Sequence, residues 1–220
     1  EMEEPDECFH IFDLDFSDIL YVEMCKLDNQ EKLDWLDSEQ FNLLDTYKNT
    51  YQRALKVLCD NYAQRGEKFE RLIVKCPFHQ RSVAQLAEAL GKDRPLYIIH
   101  PHRNLSKAVG SVASLFSSYQ GTFTAVDPKE TGELTMDMLK RSWDEFHTWE
   151  EEHAAEYPNV HIQHVRFEQF VKNPKDTVEK IFRRFGFEFS DQFAQNIDAY
   201  LEKSARERQG LKLHSYSLDD

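Results

Sequence analysis

The chain has 220 residues, of which 40% are apolar, and it contains 16 Phe, 9 Tyr and 3 Trp. This supply of core residues argues against intrinsic disorder and is enough for one sizeable α/β domain or two small ones. The formal net charge of −13 argues against a general nucleic-acid-binding or acidic-membrane-binding surface, because such a field repels polyanions. A bound phosphate must therefore be held by a local cluster of Arg, Lys and helix N-termini.

The cysteines and the hydropathy restrict the class of protein further. The four cysteines, Cys8, Cys25, Cys59 and Cys76, are widely spaced and form no Cys-x-x-Cys pair. We therefore expect reduced thiols and no structural zinc site. The sequence shows no signal peptide and no apolar run of transmembrane length.

The first 64 residues are predicted to be helix and loop. Apolar residues recur at helical spacing between Phe41 and Tyr62, which predicts one long amphipathic helix. Gly66 follows this pattern, and we expect it to end the helix.

A strand, a helix and a second strand are predicted next. Residues 71–75 form a short run of β-type residues, a helical pattern covers residues 82–90, and residues 96–100 are β-branched and aromatic. Because the connections are short, this order predicts one βαβ crossover of a parallel sheet.

The remainder of the chain is predicted to be mostly helical, with one more strand. The predicted elements are a helix after Arg103 with Val109, Val112, Leu115 and Phe116 on its apolar side, a long helix over residues 136–156 with Trp143, Phe146 and Trp149 on its buried face, a strand over residues 160–167, and helices over residues 177–185 and 191–203. A basic tail that contains Gly210 follows.

Residues suited to binding anions follow two of the predicted strands. Lys75 and His79 come after the first strand, and Arg103 comes after the second, beside a new helix N-terminus. Ligands of open parallel sheets bind outside the carboxyl ends of the strands, so we expect these side chains to converge there. Lys75 and His79 each have an ordinary structural explanation, as a strand-end lysine and a helix-start residue. Their recurrence at two strand ends favours function.

These residues also resemble the motifs of one enzyme family. The segment Lys75-Cys-Pro-Phe-His79 resembles the Lys-x-Pro-x-His motif of sulfotransferases that use 3′-phosphoadenosine 5′-phosphosulfate (PAPS). The segment from Arg103 to Ser111 resembles their 3′-phosphate motif, an Arg followed by a Ser eight positions later. Phe167-Glu168 at a strand end before a proline-started helix, and a tail around Tyr216, are similar to later parts of the same family.

The resemblance implies a fold and a reaction. The fold would be a helix-rich, three-layer α/β domain of the P-loop NTPase type, with a parallel sheet flanked by helices. A single domain would cover residues 1–220, with a helical substrate-side region at 1–64 and the sheet core and C-terminal helices at 65–220. PAPS would donate a sulfuryl group to a hydroxyl or amine of a small-molecule or carbohydrate acceptor. The reaction needs no metal.

The resemblance also implies a donor site. Arg103 and Ser111 would hold the 3′-phosphate, to which the bidentate guanidinium is well suited. Phe167 would contact the adenine ring by stacking. The basic tail would fold over the 3′-phosphate as a flap, and its cations are Arg206, Arg208 and Lys212. Ser111 also has a plain explanation as a small residue for close helix packing, and the tail as a solvated, frayed end.

The catalytic residues implied by the resemblance are Lys75 and His79. Lys75 would approach the sulfuryl group or the bridging oxygen as a point charge. His79 would act as the general base for the acceptor hydroxyl, a task to which an imidazole is suited. Glu7 is an alternative base.

One family feature is missing from the sequence. The phosphosulfate-binding loop of these enzymes is a Gly- and Ser/Thr-rich turn, and the first glycine here is Gly66. We therefore expect either a fragment that lacks the N-terminal strand, loop and helix, or a catalytically silent binding domain. A P-loop-type small-molecule kinase is a further alternative, although it would need a magnesium-binding carboxylate at a strand end. The sequence leaves open the oligomeric state and the choice between the cytoplasm and the Golgi lumen.

Overall fold

The structure is a computed structural model that describes residues 29–36, 38, 43–68, 70–123 and 125–208. These residues form two compact units. The first unit contains the described residues up to Leu96 together with Val112–Val160, and the second contains Tyr97–Ser111 and the described residues from His161 onward. No helix in these ranges is both long and apolar enough to cross a membrane.

The long amphipathic helix predicted before Gly66 is present. After α1 (Asn29–Leu36), helix α2 begins as an α-helix at Leu44–Thr46, passes through a π-helical turn at Tyr47–Tyr51 and continues over Gln52–Gln64. Gly66 has φ 77°, and its N–H donates to the Ala63 carbonyl at 3.0 Å. The next N–H, that of Glu67, donates to the Tyr62 carbonyl at 3.0 Å. This is the Schellman pattern, which a glycine adopts without steric cost.

The strand predicted at residues 71–75 is wrong. Residues 71–76 have no regular structure, and the Ile73 side chain is 84% exposed. A run of β-branched residues becomes a strand only when a neighbour pairs with it and an apolar surface covers it, so propensity alone does not decide the outcome. The predicted βαβ unit is therefore wrong in its first strand.

The helix predicted at residues 82–90 is confirmed. Helix α3 runs as an α-helix over Val83–Leu86 and as a π-helical turn over Ala87–Gly91, after a short 3₁₀ turn at Pro77–Gln80. A Cβ atom added at Gly91 would lie 2.4 Å from Cγ2 of Val160. Only a glycine at position 91 allows the end of α3 to lie so close to Val160.

A parallel pair of strands forms the sheet of the described ranges. Strand β1 (Leu96–His102) pairs with β2 (Val160–Arg166), and the strands predicted at residues 96–100 and 160–167 are therefore confirmed. Two long helices, α4 (Leu105–Phe123) and α5 (Pro128–Glu152), connect them, which is the crossover that parallel neighbours need.

Helix α5 starts eight residues before the predicted position. Asp127 is its N-cap and accepts hydrogen bonds from the N–H groups of Lys129 (2.9 Å) and Glu130 (3.3 Å), with Pro128 in the first turn. Phe146 and Trp149 are buried as predicted, whereas Leu115 of α4 is 52% exposed, contrary to prediction. The core of the first unit includes Leu33, Phe116, Leu134 and Met138, with Trp35, Val112 and Tyr119 packed against them.

Between β2 and residue 208, the structure describes three helices. They are α6 (Phe167–Lys172), α7 (Pro174–Arg184) and α8 (Asp191–Glu207). Gly186 has φ 70° and ends α7 with the same Schellman pattern as Gly66. Aromatic contacts pack α7 against α8, where the Phe182 and Phe193 rings stack at 4.8 Å, and the segment after α7 against β1, where the Phe187 ring meets the Tyr97 ring at 4.6 Å.

Candidate functional site

The candidate site begins where β1 turns into α4. Arg103 and Asn104 alone separate the strand from the helix, and both are exposed. The Asn104 side-chain oxygen accepts from the Ser106 N–H at 3.0 Å and from the Ser106 hydroxyl at 2.6 Å. This cap fixes the first turn of α4, so Arg103 lies beside a helix N-terminus, where the backbone favours negative charge.

Arg103 is held by an aromatic ring. Its guanidinium carbon lies 5.1 Å from the centroid of the Phe167 ring, and Phe167 is the first residue of α6, directly after β2. Because β1 and β2 are parallel neighbours, the residues that follow them meet at one edge of the sheet. A cation–π contact uses none of the N–H donors of a guanidinium in a hydrogen bond, so such a contact is compatible with bidentate binding of an anion.

The structure thus brings together two of the predicted donor-site residues. Arg103 occupies one face of the Phe167 ring, so an adenine ring would have to stack on the other face. The adenine contact stays a prediction. Ser111 lies two turns into α4 and is half-buried. It follows Asn104 by seven residues, so the two occupy the same face of the helix.

Two of the cations predicted for the basic flap lie at the C-terminal end of α8, and the flap itself stays a prediction. Arg206 belongs to the last turn of α8, where its Nε donates to the Glu202 carbonyl at 3.3 Å, and Arg208 is the C-cap residue. Helix periodicity continues past residue 203, and cations near a helix C-terminus stabilise its carbonyl end, which accounts for this placement. Lys212 and Glu7 lie outside the described residues.

Lys75 and His79 belong to the first unit. Lys75 is exposed and follows the irregular segment at 71–76, so it is not a strand-end lysine. His79 lies in the 3₁₀ turn, and its ring meets the Tyr47 ring at 5.7 Å and the Tyr51 ring at 5.5 Å, both edge-on. The catalytic roles of Lys75 and His79 stay predictions.

The two tyrosines around His79 were not identified as site residues from the sequence. Tyr47 and Tyr51 are both completely buried, and they are the first and last residues of the π-helical turn of α2. Tyr47 shares a hydrogen bond of 2.7 Å with the Ser82 hydroxyl. The spacing of four residues was the available signal, but it predicts only a shared helix face. The π-helical turn is a feature often found at functional sites.

A charged network lies elsewhere in the first unit. A hydrogen bond from Lys92 (2.6 Å) lowers the pKa of Glu88, and a second from the Tyr157 hydroxyl (3.0 Å) acts in the same direction. The same hydrogen bond raises the pKa of Lys92. The pKa of Tyr157 is raised mainly by burial and, to a smaller extent, by its hydrogen bond to Glu88. The Glu88–Lys92 ion pair lies at the end of α3, and the hydrogen bond from the Tyr157 hydroxyl ties it to the segment before β2.

Comparison with known proteins places the chain in a family. A family model described as the sulfotransferase family matches residues 1–191. No curated protein gives a match. Among solved structures, the sulfotransferase STF9 from Mycobacterium avium is similar, with a TM-score of 0.76 and 21% identity over 98% of this chain and 51% of that chain. The sulfotransferase STF1 from Mycobacterium tuberculosis H37Rv is similar with a TM-score of 0.72, at the same identity and coverage.

These likenesses confirm the predicted fold class, a helix-rich α/β fold of the sulfotransferase type. The chain spans about half the length of the two solved structures. Because the family model matches 1–191 of the 220 residues, this chain belongs to the sulfotransferase family.

Proposed function

We propose that the chain binds PAPS and takes part in the transfer of its sulfuryl group to a hydroxyl or amine acceptor. Family membership supports the reaction class. The observation that supports the donor is the position of Arg103, held over the Phe167 ring at the sheet edge and beside the capped start of α4. The proposal includes a small-molecule or carbohydrate acceptor and a cytoplasmic or Golgi location.

In the proposed binding site for the sulfate donor, Arg103 has one task. The guanidinium would accept the 3′-phosphate of the nucleotide through two parallel N–H···O bonds. The first N–H groups of α4 add positive potential on the same side. Such a local cluster is what a chain with a net charge of −13 needs in order to hold a polyanion.

The chemical step would use Lys75 and His79. The acceptor oxygen or nitrogen attacks sulfur in line while the bond between sulfur and the bridging oxygen breaks, and adenosine 3′,5′-bisphosphate leaves. His79 would take the acceptor proton, and Lys75 would neutralise charge that develops on the leaving oxygen. The edge-on contacts with the Tyr47 and Tyr51 rings support this role for His79, because packing against two buried rings limits the motion of the imidazole.

Calorimetric titration with adenosine 3′,5′-bisphosphate tests the donor assignment. We expect Arg103→Ala to weaken binding by about 10- to 150-fold. This range corresponds to the loss of a hydrogen bond to a charged group, which contributes about 1.5–3 kcal/mol. Arg94→Ala is the matched control, because Arg94 is also exposed but precedes the amino end of β1. Equal affinities of the two variants would remove Arg103 from the site.

A catalytically silent binding domain is the second candidate. Residues 1–65 contain no glycine, so this part of the chain offers no Gly-rich phosphate cradle. Binding of the bisphosphate without any release of it from PAPS in the presence of phenol and amine acceptors would support this candidate. The family match leaves the small-molecule kinase alternative without support.

A further inference from the structure

Three histidines share one face of the two-stranded sheet. His100 and His102 are two residues apart on β1, so their side chains point to the same face, and His164 lies on the neighbouring strand β2. The ring centroids are 5.2 Å apart for His100 and His164, 6.1 Å for His100 and His102, and 5.9 Å for His102 and His164. The three imidazoles therefore surround one small volume.

Two ring nitrogens of this cluster approach each other closely. Nδ1 of His100 and Nδ1 of His164 are 3.2 Å apart. Two imidazole nitrogens bound to one tetrahedral zinc ion at 2.0–2.1 Å are separated by about 3.3 Å. The observed separation is the one that a shared metal requires. It also suits a hydrogen bond in which one histidine carries its proton on Nδ1 and the other on Nε2.

We propose that His100 and His164, joined by His102, form a binding site for a divalent transition-metal ion of the zinc, copper or nickel class. Neutral imidazole is a preferred ligand of these ions, whereas magnesium and calcium require oxygen ligands. No set of three or more His, Cys, Asp or Glu side chains among the described residues is already arranged to hold a metal ion. In the proposed site the close pair His100 and His164 supplies two ligands, and a rotation of the His102 side chain would bring the third.

The burial of the three rings fits such a site. His100 is 5% exposed, whereas His102 and His164 are half-buried, so an ion can enter from the side of the latter two. Three imidazoles leave the fourth position of a tetrahedral ion to water or an anion. The net charge of −13 favours the approach of a cation. The site does not depend on the proposed sulfuryl transfer.

Titration of the metal-free 220-residue chain with Zn²⁺, and with Co²⁺ followed by visible absorption, tests the proposal. We expect one ion per chain and a tetrahedral Co²⁺ absorption band. His164→Gln should weaken binding at least tenfold, since loss of an outer-shell partner alone costs about 10- to 100-fold. His161→Gln is the matched control, because His161 lies on the same strand, faces the other way and stacks on Tyr97 at 5.0 Å.

A second variant keeps the test decisive if His164→Gln does not fold. His102 is half-buried, so His102→Gln disturbs packing less, and it should also weaken binding at least tenfold. Saturable binding that His102→Gln and His164→Gln weaken and His161→Gln leaves unchanged supports the site. Absence of saturable binding by the unmodified chain, or equal affinity of all three variants, would overturn it and leave the pair as a hydrogen bond.

Discussion

The guanidinium of Arg103 lies over the ring of Phe167, with 5.1 Å between its central carbon and the ring centroid. This contact joins the residue after β1 to the first residue after β2, so the pairing of the two strands determines where the arginine is held. An anion site at this edge therefore depends on the sheet register as well as on the arginine.

Replacement of Phe167 by Ala should weaken bisphosphate binding although Phe167 contributes no hydrogen bond. An exposed cation–π contact contributes about 0.5–1 kcal/mol, which corresponds to about 2- to 5-fold in affinity. Phe170→Ala is the matched control, because both phenylalanines lie on α6 and each is 39% exposed. Calorimetric titration of both variants makes the comparison. A loss of the same size in Phe170→Ala would mean that Phe167 does not position Arg103.

The Asn104 cap should support both the fold and the site. Asn104→Ala removes the acceptor of the Ser106 N–H and should lower the free energy of unfolding by about 0.5–2 kcal/mol. Asn104→Asp keeps a capping oxygen and should retain most of the stability. Urea unfolding of the three proteins measures the difference. Equal stability of the alanine and aspartate variants would contradict the capping role.

The close approach at Gly91 predicts a steric penalty. Gly91→Ala would place a Cβ atom 2.4 Å from Val160 Cγ2 and should lower the free energy of unfolding by about 1–3 kcal/mol. In α5, an added Cβ atom at Gly132 meets nothing within 4 Å. Gly132→Ala should therefore raise the free energy of unfolding by about 0.5–1 kcal/mol, since alanine is favoured inside helices. Urea unfolding that ranked the two variants in the reverse order would show that α3 does not pack against Val160.

The Glu88 network predicts a pH dependence of stability. Its hydrogen bond from Lys92 lowers the pKa of Glu88 below the ordinary value of 4.5, so the ionised form favours the folded state. This contribution is present above about pH 4.5 and is lost as the pH falls through the lowered pKa. Burial raises the pKa of Tyr157 above 10.0, so its contribution is present below pH 10.0 and is lost as the pH rises through the raised pKa.

Unfolding experiments between pH 7 and pH 3 test the acidic side of this prediction. The stability difference between the unmodified protein and Glu88→Gln should shrink as the pH falls below 4.5, because protonated Glu88 no longer forms the ion pair. A difference that stays constant over this range would show that the Lys92 contact adds no stability through the charge of Glu88.

The sequence predicted the helix ends that depend on local chemistry. Gly66 and Gly186 end their helices through the Schellman hydrogen bonds, which need only a glycine in the left-handed region. Apolar periodicity predicts that α5 starts at residue 136, whereas the capping signal, Asp127 and Pro128, lies at its true start.

The features that the sequence did not predict depend on distant residues. The run at 71–75 has the composition of a strand, but pairing is decided by what lies beside it in the fold. The approach of His164 to His100 requires the register of β2 on β1, and the two residues are 64 positions apart. The meeting of Tyr47 and Tyr51 with His79 depends in the same way on the packing of α2 against the 3₁₀ turn.

The most direct measurement of the central claim compares two nucleotides in two proteins. Adenosine 3′,5′-bisphosphate and adenosine 5′-monophosphate differ only in the 3′-phosphate that Arg103 is proposed to hold. We expect the unmodified protein to prefer the bisphosphate by about 10- to 150-fold, and Arg103→Ala to lose this preference while its affinity for the monophosphate stays unchanged. A preference for the bisphosphate that survives in Arg103→Ala would contradict the account.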